Sequence, residues 1–451
     1  MRVCRGRAWA HADHGRGGRV GVGHGVARIQ STRAREWVSA LGQVRYGQVV
    51  RVLVCPRCRY PVWLENLTCD NCGTELLFDA GTLRMTPMGR STDAGEGART
   101  QSHRVPLVTG GPVLVPCANR SLGCNWGVAP DSGVALCYSC RLTRKHPEQG
   151  DTAALEKLGI AGRSKRRLLV GLADLGLPVV PYWVREGGLA FDLLSSQSPG
   201  AGPVVIGHAS GVITIDLAES LDDYREAQRV RLDEPYRTML GHFRHEAGHY
   251  YQWQLVEEKG GAPLEECREI FGDERASYQD ALSRHYAEGA PEGWQDSYIS
   301  EYATMHPWED FAETFAHYQH ILDTLTTVCN GGLRLTPDSD SPFLTREVHP
   351  RSSYAELPFN EALADWRPIS HLLNRANHAM GKGDLYPFRI PEPVVHKLEF
   401  IHRVVGSART QHPFVGVQDP VAGDPCCGRP SGATPQGAHG GCRRVSPSVH
   451  E

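Results

Sequence analysis

His245-Glu246-Ala247-Gly248-His249 places two imidazoles and a carboxylate within five residues. On a helix, positions i and i+4 lie one turn apart on a single face, so His245 and His249 offer two nitrogens to one metal ion. Glu246, rotated only about 100° from His245, reaches a water on that ion. The chemistry this allows is peptide-bond hydrolysis by a zinc-activated water with Glu246 as general base. With 21 histidines in 451 residues, the five letters are suggestive and their surroundings must decide. Gly248 adds to them. Glycine inside a helix costs roughly 1 kcal/mol relative to alanine, so its place between two candidate ligands implies that another backbone or side chain approaches there.

The element holding the motif reads as a helix. Tyr236, Met239, Leu240, Phe243, Ala247, Tyr250, Tyr251 and Leu255 recur at helical spacing; Asp233 is a candidate N-cap, Pro235 suits the first turn and Gly260 the C-cap. A catalytic zinc takes three protein ligands and keeps one position open. The three-histidine pattern HExxHxxGxxH would need glycine and histidine where Gln252 and Leu255 stand, so the third ligand is an acid from a later element. In the segment from His306 to Tyr318, Pro307 suits a first turn, Trp308, Phe311, Ala312 and Phe315 form an apolar stripe continued by Leu322, and Glu309 and Glu313 share a face. Acids at i and i+4 repel one another, a cost that makes sense if Glu309 binds the cation and Glu313 hydrogen-bonds a ligand histidine. Asp273 and Glu274 are rival third ligands, although beside Gly272 they also suit a turn or cap.

Cysteines supply a second chemistry. Cys55, Cys58, Cys69 and Cys72 form two CxxC pairs ten residues apart, the spacing of a short ribbon closing a four-thiolate zinc site with no position left for substrate. Cys117, Cys124, Cys137 and Cys140 have a looser first pair but end in CxxC, and read as a further structural site. Disulfides are the alternative, yet clustered CxxC pairs point to metal in a reducing compartment. The expected cofactor is therefore zinc, one ion catalytic and one or two structural.

Composition bounds the rest. At 451 residues, net charge −3 and 40% hydrophobic content, the chain can hold one sizeable core and a small metal-stapled module. A near-neutral chain advertises no concentrated basic surface, so nucleic acid is not an expected partner. The basic run Arg163-Ser164-Lys165-Arg166-Arg167 reads as the solvated start of a helix continuing through Leu168, Leu169, Leu172 and Leu175. No apolar run approaches the roughly 20 residues of a membrane helix and no cleavable signal stands out, giving a cytoplasmic expectation with no membrane partner. Residues 1–48 and 406–451, rich in Gly with Arg and His or Pro and Ser, read as disordered; 51–147 is the ribbon region and 151–405 the catalytic domain. Within the latter, 203–208 and 211–216 read as two strands joined through Ala209 and Ser210. Phe359, Leu363, Trp366, Ile369, Leu373 and Met380, then Val394, Leu398, Ile401 and Val405, read as core faces of two helices.

The run Phe243 to Tyr251, followed by Phe271-Gly272-Asp273-Glu274 and by the segment His306 to Thr314, resembles the bacterial zinc-binding metallopeptidase family that carries an amino-terminal zinc ribbon. The resemblance covers roughly residues 51 to 405. It implies a gluzincin-like site of two histidines and a glutamate in a zincin-like α+β fold, mainly helical with a small sheet whose edge lines the substrate cleft. Glu309 to Glu313 is also similar to the third-ligand helix of anthrax lethal factor and thermolysin-like enzymes. That likeness favours Glu309 as ligand and implies that Tyr302, seven residues earlier, faces the reaction centre. One departure is Gln252, which separates the two tyrosines from Trp253. Tyr302 and His306 are both candidate donors to the oxygen of a peptide carbonyl. The expected activity is that of a zinc metallopeptidase acting on a peptide or protein substrate. The alternative is a zinc-ribbon protein that binds protein or nucleic acid and whose zincin-like domain does not turn over; retention of Glu246 favours the peptidase.

Overall fold

A computed structural model describes residues 53–88, 113–221, 238–337 and 344–416, all within the compact unit Val49–Glu451. The expectations for 1–48, for the loop at 89–112, for Asp233, Pro235 and Tyr236, and for the tail beyond 416 lie outside these residues.

The cysteine-rich part is built from turns and hairpins. After each CxxC of the first set the chain folds back on itself: Arg59 N–H donates to the Cys55 carbonyl and Gly73 N–H to that of Cys69, both at 2.8 Å. Arg59 and Gly73 take left-handed φ of 61° and 66°, which swings the sulfurs of each knuckle to one side. Antiparallel strands β1 (Leu76–Asp79) and β2 (Arg84–Pro87) follow, then the short pair β3 (Val115–Pro116) and β4 (Gly127–Val128). One helical turn, α1 (Tyr138–Arg141), carries the last knuckle.

The next strand links the two parts. β5 (Thr143–Lys145), inside the stretch expected as ribbon, pairs in parallel with β6 (Ala190–Leu194) and thereby joins a sheet of order β5-β6-β8-β7, with β7 spanning Gly207–Ala209 and β8 Val212–Asp216. Arg144 clasps the buried Asp192 of β6 through two hydrogen bonds of 3.0 and 2.7 Å. The β7–β8 hairpin is shorter than the sequence suggested. Ala209 pairs with Val212, leaving Ser210 and Gly211 as a two-residue loop in which both φ are positive (48° and 84°), as a type I′ turn requires.

Helices cover this sheet. α2 (Thr152–Asp174), capped by Asp151, contains the basic run in its middle rather than at a solvated start. Lys165 and Arg166 are buried: Lys165 donates to Thr143, Arg166 to the carbonyl of Gly123 at 3.0 Å, and Arg167 pairs with Glu65. These cations bind the helix to the cysteine-rich part, which is why a run that looked solvated is not. α3 (Met239–Gln252) starts one residue after Thr238, whose hydroxyl accepts from Gly241 N–H, so the cap is Thr238 rather than Asp233. A π-helical turn, Trp253–Glu257, extends it towards Gly260. α4 (Gly261–Phe271), α5 (Tyr278–Glu288), α6 (Pro307–Asn330), α7 (Phe359–Ala379) and α8 (Glu392–Ala408) complete the body. Of the expected core positions on the last two, Met380 is 80% exposed because α7 ends one residue before it.

α3 and α6 form the centre. A Cβ on Gly248 would lie 2.7 Å from the Ala312 Cα, so glycine there is what lets the two backbones touch. Tyr251 stacks on Phe315 beside the contact, and Arg244 bridges to Asp323 of α6 at 2.5 Å on the other flank. Residues 409–416, expected in the tail, are packed instead. Phe414 is buried against Trp126 and Tyr138, and Val179 N–H donates to the Pro413 carbonyl at 2.7 Å. Among the described residues no helix is long and apolar enough to cross a membrane.

Candidate metal centres

The α3–α6 contact brings three donor atoms together. His245 Nε2 lies 2.9 Å from Glu309 Oε2 and 3.2 Å from His249 Nε2, and His249 Nε2 lies 3.4 Å from the same carboxylate oxygen. All three side chains are substantially buried, Glu309 at 3% exposure. The sequence placed Glu309 on the third element and the structure brings it to the two histidines. Asp273 and Glu274 are elsewhere: Asp273 pairs with Arg275 and Glu274 with Arg268, which settles both as loop anchors.

Around this triangle each group is oriented by a partner. Glu313 Oε1 is 2.7 Å from His245 Nδ1, and its other oxygen accepts from the Ser300 hydroxyl at 2.6 Å. Burial alone would lower the His245 pKa, but two facing carboxylates raise it well above the usual imidazole range. Burial likewise opposes ionisation of Glu309, and the two histidines pull it well below the usual carboxylate range. Glu246, on the same turn, is pushed up by burial, and its Oε2 is buried with no hydrogen-bond partner. The ring of Tyr302 stands 5.9 Å from that of His245. His306 is a helix cap: Nδ1 accepts from Trp308 N–H at 3.1 Å and Nε2 faces the Ala276 carbonyl at 3.0 Å, so both nitrogens are occupied away from the triangle. Two neighbours escaped the sequence reading, Ser300 and Tyr278, whose hydroxyl donates to Glu309 Oε1 at 3.0 Å. Each reaches the site from a loop or helix start, where no periodicity marks it.

The eight cysteines form two compact groups, Cys55, Cys58, Cys69, Cys72 and Cys117, Cys124, Cys137, Cys140. All are free thiols. Cys55 and Cys72 sulfurs are 3.7 Å apart, Cys58 and Cys69 3.6 Å, Cys124 and Cys137 3.6 Å, and Cys124 and Cys140 3.7 Å. Burial pushes Cys55 up to about 12, while hydrogen bonds from Thr74 pull Cys72 down to about 6.

Residues 155–404 match the family described as "putative zinc-binding metallo-peptidase", and residues 52–151 match a zinc-ribbon domain. Uncharacterized proteins of Mycobacterium tuberculosis and Mycobacterium bovis are each 43% identical over 353 residues, covering 78% of this chain and 94% of theirs. The chain belongs to this metallo-peptidase family. No solved structure matches it.

The family description implies zinc, and the donor sets fit it. A tetrahedron with Zn–S bonds of about 2.3 Å sets sulfurs about 3.8 Å apart, far beyond a disulfide, and one with bonds of about 2.0–2.1 Å to nitrogen and oxygen sets those donors about 3.3 Å apart. Both spacings are close to those in this family member. Two imidazole nitrogens and a carboxylate oxygen converging on one point are also the donor types that a zinc ion takes.

Proposed function

We propose that this chain is a zinc-dependent peptidase of the gluzincin kind on a zincin-like fold, with His245, His249 and Glu309 holding a catalytic ion and each four-cysteine group a structural one. The observation that carries the reading is the convergence of His245 Nε2, His249 Nε2 and Glu309 Oε2 within 3.4 Å of one another, one residue from a buried carboxylate with a free oxygen.

A bound zinc supplies Lewis acidity, polarising a carbonyl and acidifying a water so that it loses its proton near neutral pH. Everything else is done by side chains. Glu246 Oε2, buried and unpartnered, takes the proton from the attacking water and returns it to the amine nitrogen as the peptide C–N bond breaks, so the carbonyl carbon gains the hydroxyl and the amine the proton. Glu313 fixes the His245 ring through Nδ1, leaving Nε2 for the ion. Tyr302, beside His245, is placed to donate its phenolic proton to the oxygen of the cleaved carbonyl. β7 is the edge of its sheet, and His208 on it packs against Tyr250 of α3; an extended peptide or protein segment adding to that edge lies along the helix that bears the motif. The clustered free thiols accord with a reducing, cytoplasmic setting.

The test is Glu246→Gln, which retains the size of the side chain and removes the base. The variant keeps its exchangeable zinc and loses cleavage of a peptide library by a factor of at least about 100. A wild-type protein that binds the ion, cleaves nothing and captures nucleic acid or a protein partner tightly would replace the peptidase with the non-catalytic ribbon-protein reading.

A further inference from the structure

The geometry points to Tyr278 as the residue that holds Glu309 to a single coordinating oxygen and so keeps a position at the ion free for water. This positioning role rests on the metal-site reading above and goes beyond the ligand set. A carboxylate facing a divalent ion has two oxygens to offer. If both bind, the position needed by water is filled by the protein itself. Here the two oxygens of Glu309 are separated in function: Oε2 belongs to the imidazole triangle, while Oε1 accepts the Tyr278 hydroxyl at 3.0 Å.

Tyr278 is built to stay where it is. It is the first residue of α5, a helix capped by Ser277, whose hydroxyl accepts from Asp280 N–H. Its ring is wedged against His306 at 5.3 Å and Trp308 at 6.2 Å, and His306 is itself fixed by Ala276 and Trp308. The carboxylate it meets is buried, where an alternative donor such as water is scarce. Nothing else within the described contacts reaches Glu309 Oε1. Removing the Tyr278 hydroxyl therefore frees the carboxylate to rotate and chelate.

Tyr278→Phe in the full chain tests this, with the thiolate sites left loaded with zinc and the exchangeable ion replaced by cobalt(II). The expected results are a tenfold to hundredfold weaker hold on the exchangeable ion in a chelator competition, of the order seen when outer partners of metal ligands are removed, and a visible cobalt spectrum altered as a second carboxylate oxygen takes the place of water. Tyr286→Phe, an exposed tyrosine on the same helix, serves as the internal control and retains wild-type metal affinity. Wild-type affinity with an unchanged cobalt spectrum in Tyr278→Phe overturns the assignment, as does an equal loss of affinity in Tyr286→Phe. Failure of the wild-type chain itself to take up an exchangeable ion at His245, His249 and Glu309 is a separate outcome, and it removes the metallopeptidase reading along with this one.

Discussion

Gly248 shows how much one missing methyl group does at this site. A Cβ there would meet the Ala312 backbone at 2.7 and 3.0 Å, so Gly248→Ala gains up to about 1 kcal/mol of helix propensity but forces α6 outward. Overpacking of this kind costs about 1–3 kcal/mol, and the backbone it displaces is the one that carries Glu309. The expected outcome is a lower Tm together with weaker binding of the exchangeable ion; a variant with unchanged metal affinity would mean that the close approach serves packing only. This consequence was legible in the sequence, because glycine between two histidines on a helix already demanded an intruder. The histidines, Glu309 and Glu313 were legible for the same reason, as spacing on a helix fixes which side chains share a face. Tyr278 and Ser300 were not. Their contribution depends on where α5 and the turn before α6 land in space, and local spacing carries no trace of that.

At the scale of elements, composition misled where a segment is held by a few specific contacts. The stretch after α8 looked like tail because Gly, Pro and Ser dominate it further on, yet Phe414 is buried between Trp126 and Tyr138, and Tyr138 donates to the Val179 and Val415 carbonyls at 2.8 and 3.2 Å. Phe414→Ala is expected to cost about 3–5 kcal/mol in a denaturant titration, because the pocket is lined by rigid aromatic rings that collapse poorly. A loss below about 0.5 kcal/mol would return 409–416 to the status of a loose end. The basic run in α2 misled in the opposite direction: its charges are partnered by groups some 20 to 100 residues away in sequence, which no window along the chain reveals. Apolar periodicity fared better, since α2, α6, α7 and α8 each bury the stripe that the spacing of their Leu, Phe and Ile residues marks out.

For the molecule as a whole, acid is expected to act through buried imidazoles. Burial holds His317 down at about 4, against 6.5 for an unencumbered histidine, and its Nδ1 meets the Tyr386 hydroxyl at 2.9 Å. Above about 6.5 the ring is neutral in folded and unfolded chains alike. As pH falls from there towards about 4 only the unfolded chain takes the proton, so stability present at neutral pH is lost across that window. Melting temperatures between pH 7 and 4 should fall less steeply in His317→Gln; equal slopes would place the titrating group elsewhere. Metal analysis bears on the whole molecule too. Roughly three zinc ions per chain are expected, two resistant to mild chelation and one exchangeable. Their losses should differ in effect. The strand β5 begins three residues after Cys140, so Cys137→Ser is expected to lower the main unfolding transition more than Cys69→Ser, whose thiol serves a knuckle further from the sheet. Equal shifts in calorimetry would argue that the two thiolate groups support the body alike.

That strand also limits where the chain can be divided. Cutting the chain near residue 150, where the two sequence families meet, would strip the larger piece of its border strand and of the arginine that grips Asp192. A fragment beginning there is therefore expected to unfold at lower denaturant than the intact chain, because its sheet lacks one border.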